Sequence, residues 1–156
     1  MKTPKAEKID KQIESITSSL LAKLNVEAKV EVSQEDKDNY KVSISTPDTG
    51  LLIGRLGETI NSLQLLLGVI LYKKLDKWIR IIVDVGDYRK MREESIKEMV
   101  TRIVVEVESN NQPVTLPFLT PFERRIVHIM LVDHEKVTSE SIGEGRDRRL
   151  TIKPKL

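Results

Sequence analysis

Cysteine is absent from this chain of 156 residues. Disulfides, thiolate metal sites and cysteine nucleophiles are thereby excluded, and the composition fits a reducing compartment. Aromatic side chains are scarce, with one Trp, three Tyr and two Phe, too few for the extended stacking tracks of many single-strand binders. Any sequence preference toward a nucleic acid is therefore expected to be modest. No apolar run reaches the ~18 residues of a spanning helix. The start, Met1-Lys2-Thr3-Pro4-Lys5, lacks the continuous apolar core of a signal peptide. A cytoplasmic protein without membrane insertion is expected. Charge of one sign is missing too: 26 basic and 24 acidic residues sum to +2, so affinity for a polyanion must come from local clusters.

What remains is the composition of a folded soluble protein, 39% apolar and 32% charged. The length suits one ordinary domain or two small ones. Ile9, Ile13, Ile16, Leu20 and Leu24 recur at helical spacing. Two alternating runs follow, Val26 to Val32 and Tyr40 to Ile44, which read as a hairpin. Leu51 to Ile53 fits one helical turn, and Ile60 to Lys74 is too long and too apolar for a strand. That helix is either buried on several sides or shared with a partner. Trp78 to Val85 reads as a strand ended by Gly86.

From Asp87 to about Glu108 helical spacing returns. Val114 to Phe118 suits a short strand, and Thr120-Pro121 suits the N-cap and first turn of a helix running to His134. Two short strands, 139–141 and 149–152, flank Gly143-Glu144-Gly145. The expected class is α+β: a first domain over 1–86, ordered α-β-β-α-α-β, and a second over 87–156, ordered α-β-α-β-β.

Gly54-Arg55-Leu56-Gly57 stands between apolar residues and opens into the long helix. Glycine permits positive φ and close backbone approach, and a helix N-terminus offers unpaired N–H groups to an anion. A sugar-phosphate backbone is the guest expected there. Ile53, Leu56 or Ile60 would form an apolar floor for bases, with Thr59 beside them and Arg55 to pair with phosphate.

In the second domain, Arg124 and His128 lie four apart and share a helical face, next to Arg125. Phe122, Ile126, Ile129 and Met130 would enter the core. A solvated polar face is the simpler reading of the Arg-His pair alone. Arg146, Arg148, Arg149 and Lys153 form a second basic cluster near the C-terminus. Strand alternation could aim several of them at one surface.

The only concentrated set suited to metal or acid-base work is His128, Asp133, His134 and Glu135. The two histidines are six apart, a poor spacing for one ion on one helix, and no H-E-x-x-H, phosphate-binding P-loop or G-x-S-x-G signature occurs. Catalysis, cofactors and metals are not expected.

The Ile53-Gly54-Arg55-Leu56-Gly57 segment, with two strands before it and a helix and strand after it, resembles a KH domain of the type II, bacterial arrangement. The stretch from Arg124 through Gly143 to Leu150 resembles the R-three-H domain, named for its Arg-x-x-x-His signature. That likeness puts Arg124 and His128 at the signature positions. A KH unit followed at once by an R-three-H unit is similar to the Jag, or SpoIIIJ-associated, family of bacterial RNA-binding proteins. The resemblance implies a non-catalytic binder of single-stranded RNA, with single-stranded DNA as a related possibility. Such a protein would act as an RNA chaperone or post-transcriptional regulator.

Many members carry a further N-terminal domain and a charged linker. Here the KH unit begins almost at Met1, so membrane-linked roles of that domain are not carried over. A different class of function, a dimerising or ribosome-associated adaptor, would use the apolar helix from Ile60 to Leu71 as its contact.

Overall fold

The computed structural model describes residues 4–155, and the chain divides into two compact units, Met1–Arg89 and Lys90–Leu156. The outermost residues of the two expected domains, Met1 and Leu156, lie outside the described residues.

In the first unit, helix α1 (Pro4–Lys23) is followed by strands β1 (Lys29–Asp36) and β2 (Asn39–Ser45). Helix α2 (Thr49–Ile53) then leads through a 3-10 turn at Arg55–Gly57 into α3 (Glu58–Leu75) and strand β3 (Arg80–Val85). This is the order α-β-β-α-α-β. The first helix buries Ile13, Thr17 and Leu21. Leu24, expected to continue the apolar stripe, is instead 54% exposed. The helix ends at Lys23, Asn25 turns to φ 57°, and the buried Val26 closes the core instead. Thr17 is tolerated inside because its hydroxyl donates to the Ile13 carbonyl at 2.7 Å.

The hairpin is longer than its apolar alternation, since β1 runs on through Ser33 to Asp36 and turns at Asp38, φ 63°. Lys77 pairs with Asp38 at 2.6 Å beside that turn. Strand β2 is central, antiparallel to β1 and parallel to β3. A parallel pair requires a crossover connection, and α2, the glycine turn and α3 supply it. Tyr40, Val42 and Ile44 pack with Ile81, Val83 and Val85 under Ile60, Leu63, Leu67 and Leu71 of α3.

The second unit contains α4 (Tyr88–Asn110) from Lys90 onward, β4 (Val114–Thr115), α5 (Pro121–Leu131), β5 (Val137–Ile142) and β6 (Arg149–Pro154). Its sheet has the order β4-β6-β5, antiparallel throughout. The core gathers Ile96, Val100 and Val107 of α4, Val127 and Leu131 of α5, and Val137, Leu150 and Ile152 of the sheet. The inward face of α5 is therefore a correction. Phe122 and Ile129, expected in the core, are 69% and 63% exposed, and Ile126 and Met130 are only half-buried. Glu123, Arg124, Val127 and Leu131 point inward instead, because the polar residues find partners there.

Candidate nucleic-acid interface

The turn at the head of α3 is built from unusual backbone conformations. Gly54 has φ 70° and ψ −176°, Leu56 φ 52° and ψ 28°, and Gly57 φ 82° and ψ 13°. A β-carbon on Gly54 would lie 2.1 Å from Thr59 Oγ1 and 2.9 Å from the Thr59 backbone nitrogen. No side chain fits there, since the backbone atom cannot move aside. Leu56 is a γ-branched residue in the left-handed region, a conformation that costs about 1–2 kcal/mol. Gly57 occupies the N-cap of α3 and has no side chain to satisfy the first N–H groups of the helix. Bare backbone and a helix start are thus joined at one place.

Around it, Ile53 and Leu56 are half-buried, while Arg55 and Thr59 are exposed. Arg55 has no ion pair among the described residues. Ile60, expected on the apolar floor, is 0% exposed and belongs to the core. One helical turn into α3, the side chains already face the sheet. Of the three residues expected on that floor, only Ile53 and Leu56 stay partly exposed.

Two neighbours of the turn escaped the sequence reading. Tyr88 packs against Gly57, and Arg89 reaches from the chain after β3 to Val83 O, Gln64 Oε1 and, at 3.5 Å, Asn61 Oδ1. No spacing rule connects them to residues some thirty positions earlier.

In the second unit, the signature arginine is part of the scaffold. Arg124 is 9% exposed and its Nη1 donates to the Leu119 carbonyl at 2.7 Å. Beside it, Thr120 and Glu123 form a capping box, and Glu123 also accepts from Arg92 Nε at 2.7 Å. Thr120-Pro121-Phe122-Glu123 carries the local signal for that box. His128 is half-buried between two serines, with Ser139 Oγ 2.6 Å from Nδ1 and Ser141 Oγ 3.2 Å from Nε2. A hydroxyl both donates and accepts, so either neutral tautomer and the imidazolium are all satisfied.

The strand positions of the basic C-terminal cluster face away from α5. Ser139 and Ser141 pair across the ladder with Ile152 and Leu150, which sets these four on the face toward α5. Arg149 and Lys153 alternate onto the opposite face. Arg149 donates to the carbonyls of Arg146 and Arg148 and lies 5.4 Å from the Phe118 ring centroid, a cation-π distance. Lys153 is paired with Glu140. Arg125, Arg146 and Arg148 are exposed and form no ion pair among the described residues. Of the residues expected to contact phosphate, Arg124, Arg149 and Lys153 have partners within the chain, and Arg149 and Lys153 lie on the face of β6 opposite to the one that meets His128.

Among the described residues no group of three or more His, Cys, Asp or Glu is placed to hold a metal ion. Nor is any helix among the described residues long and apolar enough to cross a membrane.

Replacing Arg124 with Ala leaves the buried Leu119 carbonyl without its donor, at a cost of about 1–3 kcal/mol. The expected outcome is a lower unfolding midpoint of the second unit in urea. The salt dependence of nucleic-acid binding should stay unchanged.

Residues 10–85 match the family model described as KhpA/KhpB, KH domain, and residues 94–154 match the R-three-H domain model. The chain is similar to the RNA-binding protein KhpB of Clostridium symbiosum, 32% identical over 144 residues, covering 92% of this chain and 64% of that protein. It is 28% identical over 124 residues to the RNA-binding protein KhpB of Bacillus subtilis, covering 78% of this chain and 60% of that one. The protein of the same name from Lactiplantibacillus plantarum is 35% identical over 106 residues, 68% of this chain and 32% of that one. The chain thus spans between about a third and two thirds of the length of these relatives. With both domain models matched in sequence order, the chain belongs to the Jag family, in which a KH domain is followed by an R-three-H domain.

Proposed function

We propose that this chain is a non-catalytic binder of single-stranded RNA, acting as an RNA chaperone or post-transcriptional regulator in the cytoplasm. The observation that carries the reading is the Gly54–Gly57 turn. It offers side-chain-free backbone and the start of α3 next to half-buried Ile53 and Leu56. A strand of RNA laid along it would place phosphate at the turn and Arg55, with bases against the apolar floor. The names of the relatives, all RNA-binding proteins, favour the same guest. In the second unit the exposed Arg125, Arg146 and Arg148 are the phosphate contacts. Arg124 and His128 are positioning residues that hold α5 against its loop and β5. Two weak sites on one chain would raise the affinity for one strand through effective concentration.

The outer face of α3 favours self-association as well. Leu65, Leu66, Val69 and Tyr72 are exposed, and the exposed Trp78 stacks on Tyr72 at 4.7 Å between ring centroids. Within this stripe Gly68 weakens the helix by about 0.5–1 kcal/mol relative to Ala. A β-carbon there would meet nothing within 4 Å inside the chain. A closely approaching helix from a second copy, or from a related KH protein, gives the glycine a purpose.

Replacing Arg55 and Leu56 together with Asp puts negative charge against the phosphates, and Asp tolerates the positive φ of position 56. Affinity for a short single-stranded RNA should fall by about tenfold or more with the fold retained. Unchanged affinity at low salt would sink the proposal for the first unit. A matching DNA oligonucleotide separates RNA from DNA recognition, and no saturable binding of either would favour a protein adaptor. Arg146→Ala and Arg148→Ala should each flatten the slope of log affinity against log salt by about 0.7. An unaltered slope removes them from the interface. Leu65→Lys with Val69→Lys should convert a dimer into a monomer in sedimentation equilibrium, and the same mass for both proteins would exclude this helix as the contact.

A further inference from the structure

Three of the four residues Gly54, Arg55, Leu56 and Gly57 have positive φ. The turn's internal closure is a long contact, from Gly57 N to Gly54 O at 3.4 Å. A segment with a left-handed leucine persists only where its surroundings over-determine it. On one side that support is Thr59, packed against Gly54. On the other side it is Tyr88, a residue beyond the KH match and before the R-three-H match.

The path that brings Tyr88 there is specific. After β3 the chain reverses through Gly86 at φ 55° and Asp87 at φ 58°. Asp84, 6% exposed, ties the reversal together by accepting from its neighbour Val85 N at 3.0 Å and from Arg89 N at 3.3 Å. Arg89 then fastens this segment to α3. Its Nε donates to Val83 O at 2.8 Å, and its Nη2 donates to Gln64 Oε1 at 2.9 Å. Gln64 Oε1 also accepts from Val83 N at 2.9 Å. Between these anchors Tyr88 is half-buried against the core. A β-carbon on Gly57 would lie 3.0 Å from its Cε1 and 3.1 Å from its hydroxyl oxygen. Gly57 is therefore bare for two reasons, its φ of 82° and the aromatic ring on its α-carbon.

We propose that Tyr88 is a positioning residue for nucleic-acid binding. Its ring holds the Gly54–Gly57 turn in the open, phosphate-accepting conformation, and Arg89 and Asp84 hold the ring. The inference rests on the reading that this turn binds RNA. It adds that the affinity of the first site is set by a segment outside the KH domain proper. Without the ring the turn samples other conformations, and the ordering cost moves into the binding step.

The test titrates a short single-stranded RNA into the full chain carrying Tyr88→Ala or Tyr88→Phe, with amide NMR spectra of each free protein. Tyr88→Ala should weaken binding between about threefold and tenfold and move the amide resonances of Arg55, Leu56 and Gly57. Tyr88→Phe keeps the ring over Gly57 and loses only the hydroxyl, so it should bind more tightly than Tyr88→Ala and return the turn resonances toward the wild type. Unchanged affinity with Ala overturns the proposal. So does a Phe variant as weak as the Ala variant, which would give the hydroxyl a direct role instead. If Tyr88→Ala fails to fold, Tyr88→Leu is measured in its place and interpreted identically. Should the Arg55→Asp, Leu56→Asp chain bind RNA as well as the wild type, the binding reading fails. Amide hydrogen exchange of Arg55, Leu56 and Gly57 then decides: faster exchange in the Ala variant than in the Phe variant supports Tyr88 as the brace of the turn, and equal rates overturn it.

Discussion

The contact between Thr59 and Gly54 leaves no room for a β-carbon, and much of the first unit is arranged so that this contact can exist. Thr59 stands in the first turn of α3, and α3 is fixed by Ile60, Leu63, Leu67 and Leu71 against the sheet. The sheet in turn needs a crossover between the parallel strands β2 and β3. The glycine turn lies within that crossover. Burial of the helix therefore presses the turn into its shape, and the cost of a left-handed Leu56 is borne by the packing of the whole unit. The bare backbone at Gly54 follows from its close contact with Thr59, five positions on.

A different principle governs the second unit. There the question is which polar groups are occupied and which are free. Arg124 is held by a carbonyl, Glu123 by Arg92 and its capping box, His128 by two serines, and Lys153 by Glu140. A buried guanidinium without such a partner would cost several kcal/mol, so the signature Arg-x-x-x-His pair serves first to fix α5. Among the exposed arginines that form no ion pair within the described residues are Arg125 on the helix and Arg146 and Arg148 in the loop between β5 and β6, the proposed phosphate contacts. Proteins that contact phosphates through a few unpaired arginines bind with strong salt dependence and little base discrimination. The scarcity of aromatic residues points the same way.

Much of this was legible in the sequence. Periodicity located the helices and strands because an element that buries one face must repeat apolar residues at 3.6 or 2.0. The Gly54–Gly57 turn was visible because glycine is nearly the only residue that relieves both positive φ and steric crowding. Thr120-Pro121 marked a helix start through capping chemistry that is local in the chain. Misreadings arose where apolar and polar residues exchanged expected places. Leu24, Phe122 and Ile129 lie outside, while Arg124 and Glu123 lie inside. Hydrophobic spacing has no means of foreseeing buried polar residues, since their cost is offset by hydrogen bonds, to Leu119 and Thr120 nearby and to Arg92 farther off, that an apolar pattern does not record.

The sequence by itself determined the order of elements, the two-domain plan and the bare turn, because each rests on interactions among residues a few positions apart. Tertiary structure alone decided which cations remain free and what braces the turn. The pleat of β6 sends Arg149 and Lys153 away from His128, and the reversal at Gly86 and Asp87 carries Tyr88 back onto Gly57. Both depend on contacts between segments brought together only when the chain closes on itself, and no local pattern records them.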